Sequence, residues 1–447
     1  MRSICLSMVL MSCGFPRPAD VASPADSGAE PVDDGTTACT RTTCSDDRLA
    51  VCGPSGTVEH VEQCTLGCFS DESRCNAVAP SNGLGAALDQ SAQEKAVTLP
   101  AGSIIDSDTG MISAAGTPIL VANTVIAQPG GPMLRVLLAQ VWTINGVKIR
   151  GSLPVAFVAS DRIDVQGVID ASADGDTGGP GAQACGSGSG GGGKAQAFFE
   201  QRPPDSSPGY PAFLFASNGG GGGGFGTAGG SGGFRLASLQ VGTAGQPNGN
   251  AELVPLRGGC EGGGDIPQHR GAGGGAVQLV SGKAVHLAAG AGVIHAGGGR
   301  SIAGALGRIS DTDTTPVWGP GGGGSGGGIL LEAPSFLLDD GTALLAGGGG
   351  AGGYGACNPA PDGLDAAASA APATGGICPA GTSPSSSGGD GATIGTGASG
   401  QNAAGGSAGG GAGGLGRIRI NTTDGHYSVG MNCLIRGVVT TGVLGRR

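Results

Sequence analysis

GGGILLEAPSFLLDDGTALLAGGGGAGG, residues 326–353, is the stretch that decides the fold. Between two glycine runs, Ile329/Leu331 and Phe336/Leu338 recur at a spacing of two, followed by Leu344. That spacing places each pair on one face of a strand. Taken alone, the stretch fits either a low-complexity segment or one rung of a repeating fold.

Three further stretches share its pattern. They are residues 153–175 (LPVAFVASDRIDVQGVIDASADG), 274–299 (GGAVQLVSGKAVHLAAGAGVIHAGGG) and the more diverged 416–442 (GRIRINTTDGHYSVGMNCLIRGVVTTG). First strands carry Val155/Phe157, Val277/Leu279, Ile329/Leu331 and Ile418/Ile420. Second strands carry Ile163/Val165, Val285/Leu287, Phe336/Leu338 and Tyr427/Val429. Ile169, Ile294, Leu344 and Val439 fill the place of a third strand. One such copy cannot bury its apolar face, whereas stacked copies share a continuous core. The expected fold is therefore all-β, a right-handed parallel β-helix or solenoid over residues 76–447. Gly167, Gly282 and Gly341 stand between strands, where a positive φ suits glycine. Residues 141–151 (VWTINGVKIRG), turning at Asn145-Gly146, read as part of an earlier rung.

The glycine runs are insertions between rungs. They leave after the third strand, from Asp176, Gly297 and Gly347 onward, hence from one edge of the stack. Composition leaves two readings open: mobile linkers, or ordered segments packed in an extended, polyproline II-like form that glycine's missing side chain permits. Cys185 and Cys260 bracket one part of the insertions, and Cys357 and Cys378 another. Each pair is expected to be a disulfide that pins its insertion. Cys433 is left over and reads as a buried free thiol.

Composition agrees with this architecture and excludes others. Of 447 residues, 97 are glycine, and only 13% are charged, about half the share of an ordinary soluble domain. Ordinary disorder is rich in charge and poor in clustered Val, Ile and Leu, which this chain is not. The net charge of −11 argues against a basic nucleic-acid-binding surface. No run of 18 apolar residues is present to span a membrane as a helix.

The chain opens MRSICLSMVLMSCG. Arg2 and an apolar core over residues 4–11 form an export signal over residues 1–12. Leu10-Met11-Ser12-Cys13 resembles the lipobox of bacterial lipoproteins, which implies lipidation of Cys13. An ordinary export signal, or a start site placed too late, is the other reading. Residues 13–38, rich in Pro, Ala, Ser and Asp, form a flexible tether. Residues 39–75 hold Cys39, Cys44, Cys52, Cys64, Cys68 and Cys75. Six cysteines in so short an exported segment read as a disulfide-stapled module, with about fifteen connectivities open. Cys64-x-x-x-Cys68 also has the spacing of a zinc site, which an oxidising compartment disfavours. His60, between two acids, reads as a solvated residue.

The six-cysteine module, with its C-x4-C opening, resembles small cysteine-rich modules in secreted proteins of myxobacteria and their relatives. Residues 76–447 resemble glycine-rich surface proteins of the same bacteria, on the strength of Gly167-Val168-Ile169-Asp170-Ala171 and the GAGGLGRIRI ending at Ile420. The resemblance implies an exported surface location and assigns no activity.

Catalytic patterns are thin. Polysaccharide-cleaving β-helices place carboxylates on adjacent rungs facing one groove. The outward candidates for ligand binding are Asp164, Asp170, His286, His295 and Asp340. Asp311-Thr312-Asp313 and Asp339-Asp340 fall short of the ligand count of a dedicated calcium loop. No phosphate-loop motif follows a strand, and a G-x-G-x-x-G match carries no weight in so much glycine. No metal and no cofactor is expected. Trp142, Trp318, Tyr210 and Tyr354 are the few aromatics that a sugar could stack on. The expectation is an exported, structural or adhesive protein of the outer membrane or cell surface, or a secreted one. It would meet extracellular polysaccharide or another cell-envelope component, and a membrane only through its lipid anchor. A polysaccharide lyase or hydrolase, and a passive coat protein, are the alternatives.

Overall fold

The computed structural model describes residues 38–447, apart from 65, 70, 72, 188–189, 195, 202–212, 235–241, 305–317, 356–360, 378–384, 394, 401 and 403–407. The expected signal peptide, Cys13, the Cys357–Cys378 pair, Tyr210 and Asp311 to Asp313 lie outside the described residues. The chain divides into two compact units, one through Cys75 and one from Asn76.

The first unit is a three-stranded antiparallel sheet, Thr43–Ser45, Arg48–Cys52 and Val58–Gln63. Its first hairpin turns on Asp46 and Asp47, both at positive φ (50° and 58°), as a type I′ turn requires. The pairing that sequence leaves open is Cys39–Cys52, Cys44–Cys68 and Cys64–Cys75. Among the described residues the buried apolar cluster is Cys44, Leu49 and Cys64, with Val51, Cys68 and Cys75 partly buried against it. Cross-links therefore carry what a core this small cannot. With Cys64 and Cys68 both in disulfides, neither offers zinc a thiolate.

The second unit is mostly strands, with one short α-helix, Gly85–Ser91, among the described residues. The repeats pair in parallel, rung upon rung, with equivalent residues in register. Val155, Val277, Ile329 and Ile418 form one ladder, and Phe157, Leu279, Leu331 and Ile420 the next. Trp142, Ile163, Val285 and Phe336 form another, as do Val147, Ile169, Ile294, Leu344 and Ile435. These side chains meet in one core. Trp142 packs edge-on against Phe157 at 5.3 Å and donates its indole N–H to Val158 O.

Three local readings change. In residues 153–175 the first two strands are one continuous strand, Val155–Val165. Val439 is not a third-strand residue: it pairs with Ile418 and begins the next rung, while Ile435 takes the place opposite Leu344. Gly341 has a positive φ of 74°, but Gly167 and Gly282 are needed for closeness instead. A Cβ at either would stand 2.1 Å from a carbonyl oxygen of the preceding rung, Asn145 O or Ser160 O.

The described glycine runs are buried and ordered, and their hydrogen bonds show how. In 219–224 every third N–H goes to the same neighbour. Gly219 and Gly222 donate to Gly233 O and Gly230 O, Gly220 and Gly223 to Pro320 O and Gly323 O, and Gly221 and Gly224 to Gly193 O and Gly190 O. Residues 321–327 repeat the scheme. Gly321, Gly324 and Gly327 donate to Ile302 O, Gly299 O and Ala296 O, while Gly323 and Gly326 donate to Gly411 O and Gly414 O. A period of three is that of the polyproline II helix, which makes no internal bonds and sends successive N–H groups in three directions. The insertions thus form a cross-bonded bundle, which satisfies the backbone groups that burial would otherwise orphan. The Cys185–Cys260 disulfide lies within it.

A segment running from Ala77 to the helix crosses the outer face of the rungs. Ala77 exchanges backbone bonds with Arg447, and Val78–Ala79 pairs with Gly445–Arg446. Ser81 reaches Glu332, and Asn82 donates to Gln278. The helix then buries Ala87 and Leu88.

Candidate functional site

Register brings the outward acids and histidines together in two separate groups. Asp164 pairs directly with His286 on the next rung, and Asp170 with His295. Each pair is therefore set by strand alternation and stacking.

In the first group, His286 stands between two carboxylates. Its Nε2 lies 2.9 Å from Asp339 Oδ2 and its Nδ1 3.6 Å from Asp164 Oδ1. Arg162 Nε holds Asp164 from the other side at 2.9 Å. The imidazole and Asp339 are about one-third exposed. Asp340 turns away and accepts the Met431 N–H. Beside Asp339 lies a shallow, solvent-open depression of about 390 Å³, lined by Leu337, Asp339, Asp340, Ser428, Val429 and Gly430.

The second group is more enclosed. Asp170 takes Lys148 Nζ at 2.9 Å, Ser172 Oγ at 2.6 Å and the Ser172 N–H at 3.0 Å, with His295 Nδ1 at 3.4 Å. Burial opposes ionisation of Asp170, but the bonds from His295, Lys148 and Ser172 outweigh it and hold its carboxyl well below the usual carboxylate range. His295 is buried, contrary to its reading as an outward residue, because the glycine at 297 and Ala366 close over its Nε2.

A third cluster was not signalled by the repeats. His269, buried, meets Trp318 edge-on with ring centres 4.8 Å apart. Burial lowers the imidazole's proton affinity, partly opposed by Asp265 and Asp362. Burial likewise raises the Asp265 carboxyl, against the Gly319 N–H that it accepts. Of the aromatics named from sequence, Trp142 and Tyr354 are buried and Trp318 is half-buried.

Chemically, the first group is an imidazole held between two carboxylates, one of them also held by Arg162, with no nucleophile among the described residues that it contacts. The imidazole itself fills the space between Asp164 and Asp339, where a glycosidase holds its sugar. Comparison with family models, with characterised proteins and with solved structures returns no match. Function must be argued from these groups alone. The four disulfides among the described residues fit an extracellular or otherwise oxidising environment. No helix among the described residues is long and apolar enough to cross a membrane.

Proposed function

We propose that this is an exported surface protein with a structural or adhesive role, built on one right-handed parallel β-helix. The in-register parallel ladders support the β-helix, and parallel crossovers are right-handed in nearly all sheets. The observation that carries the role is the glycine bundle. Its glycine amides are spent largely on one another, so the insertions act as a stiff body rather than as loops around a reaction centre. Lipidation of Cys13 behind a signal peptide, followed by the 13–38 tether, would hold the protein at the outer membrane or cell surface. The resemblance to myxobacterial surface proteins is in keeping with that place.

Matrix polysaccharide or another envelope component is the proposed contact. The partly exposed Asp164–His286–Asp339 group and the adjoining depression supply polar and apolar surface for it. The test is co-sedimentation of the full chain, disulfides formed, with insoluble polysaccharides and envelope material. Saturable binding that Asp339→Ala and Asp340→Ala weaken supports adhesion. No binding to any member moves the reading to a passive coat, and soluble sugar fragments in the supernatant would replace it with the enzyme. Loss of lipid labelling in Cys13→Ala tests the anchor separately.

A further inference from the structure

The two ends of the rung stack are finished differently. At the first end the chain folds back on itself. Ser103–Asp106 pairs antiparallel with Ile112–Ala114, which pairs antiparallel with Thr117–Ile119. Ala122–Ile126 likewise runs antiparallel to Leu134–Ile144. These turned-back strands cover part of that end; beside them Val97–Leu99 pairs parallel with Trp142–Ile144.

The last end has no such device among the described residues. Ser428–Val429, Leu434–Arg436 and Val438–Val443 each pair only with the rung before. Val438 and Leu444 donate their N–H groups inward, to Gly416 O and Thr422 O. By alternation the amides of Val439, Thr441 and Val443 face the free edge. Val439 and Thr441 continue the inward-facing ladders of Ile418 and Ile420, yet Val439 is 36% exposed and Val443 63% exposed. Their exposure comes from the stack ending there. Tyr427, Cys433 and Ile435 are only partly buried at the same end.

Exposed edges are normally blunted by charge, proline or a bulge. Residues 437–445 read GVVTTGVLG, with no charge and no proline. The single guard is Arg419, whose Nη1 donates to Thr441 O at 2.6 Å, leaving the second lone pair of that carbonyl available.

We infer that this edge pairs with the same edge of a second copy of the chain, antiparallel, about a twofold axis at Thr441. The edge-facing series Val439, Thr441, Val443 reads the same in both directions. A twofold axis therefore sets Thr441 against Thr441 and Val439 against Val443. Each such pair exchanges two backbone hydrogen bonds. Like β-branched side chains then meet across the seam, and each copy covers the other's open core. Residues 437–445 bring no charge of their own to the seam, and Arg419, the cation beside it, is held by Asn421 Oδ1 and the Thr441 carbonyl. A twofold contact uses the same edge on both copies, so it closes at two copies.

The test is sedimentation of the full chain across a wide concentration range, together with two variants. The wild type is expected to shift from monomer to a species of twice the mass. Thr441→Lys, which sets two ammonium groups against each other, is expected to remain monomeric with an unchanged circular dichroism spectrum. Thr441→Cys is expected to form an inter-chain disulfide on mild oxidation, with Cys433→Ala in the background. A wild type that stays monomeric throughout overturns the proposal. So does a dimer that persists in Thr441→Lys and gives no cross-link in Thr441→Cys.

Discussion

Ser81 gives both its backbone N–H (3.0 Å) and its hydroxyl (2.7 Å) to the carboxylate of Glu332, 251 positions further along the chain. The same carboxylate accepts Gln278 Nε2 at 2.7 Å and Asn421 Nδ2 at 2.9 Å, and Glu332 is almost fully buried. One acid thus joins the crossing segment to three neighbouring strands. Removing it leaves several buried donors without a partner, each costing about 1–3 kcal/mol. Glu332→Ala should lower stability by about 3 kcal/mol or more on that scale. Asp89→Ala, which breaks the exposed pair with Arg447, should cost within about 1 kcal/mol. Urea unfolding of both variants checks the contrast, and equal midpoints would remove Glu332 from the role of anchor.

The rungs were legible because apolar alternation is a local signal, and Ile329/Leu331 or Val285/Leu287 needs no partner to be recognised. Val439 misled because IRGVVTTG is one unbroken β-prone run. Only the pairing with Ile418 shows that the chain steps to a new rung after Gly437. Glu332 gave a faint signal, an acid ending an apolar strand, but its donors arrive from residues 81, 278 and 421. Ordered, extended packing of the glycine runs was legible as one of two readings, but which neighbour each run bonds to was not. A period of three cannot be seen where successive residues are identical, and each run's neighbours come from distant segments.

The Cys185–Cys260 disulfide closes a separation of 75 residues within the bundle. Chain entropy assigns a cross-link of that length about 4 kcal/mol, an upper figure for real proteins. The Cys185→Ala/Cys260→Ala double variant should therefore unfold at clearly lower denaturant. An unchanged midpoint would mean that the glycine hydrogen bonds alone fix the bundle.

Acid should remove the stability that Asp170 contributes. Its carboxyl is held below the ordinary range in the folded chain, chiefly against burial, by His295, Lys148 and Ser172. The unfolded chain takes up the proton first, so the stability that Asp170 contributes is complete above its ordinary value of 3.8 and fades as pH falls below it. Asp170→Asn should be less stable than wild type near neutral pH, and the gap should narrow with acid. Melting temperatures of both proteins, taken from neutral pH downward, test this. A gap that stays constant would place the loss in packing rather than charge.

The glycine bundle makes the sharpest demand, because its segments approach backbone to backbone. A Cβ on Gly222 would lie 1.8 Å from Ala412 O, a backbone carbonyl already held by the Gly230 N–H and unable to swing aside as a side chain would. Gly186 has nothing within 4 Å of the same position and no positive φ. Overpacking of a rigid interior costs about 1–3 kcal/mol where side chains can adjust, and more where they cannot. Gly222→Ala should therefore lose about 3 kcal/mol or more on that scale and weaken exchange protection at Gly230 and Ala412. Gly186→Ala should stay within about 0.5 kcal/mol of wild type, as an unconstrained surface change does. If the insertions were loose linkers, the two substitutions would be indistinguishable. Their difference is thus a direct measure of whether close packing, rather than flexibility, is why glycine fills these runs.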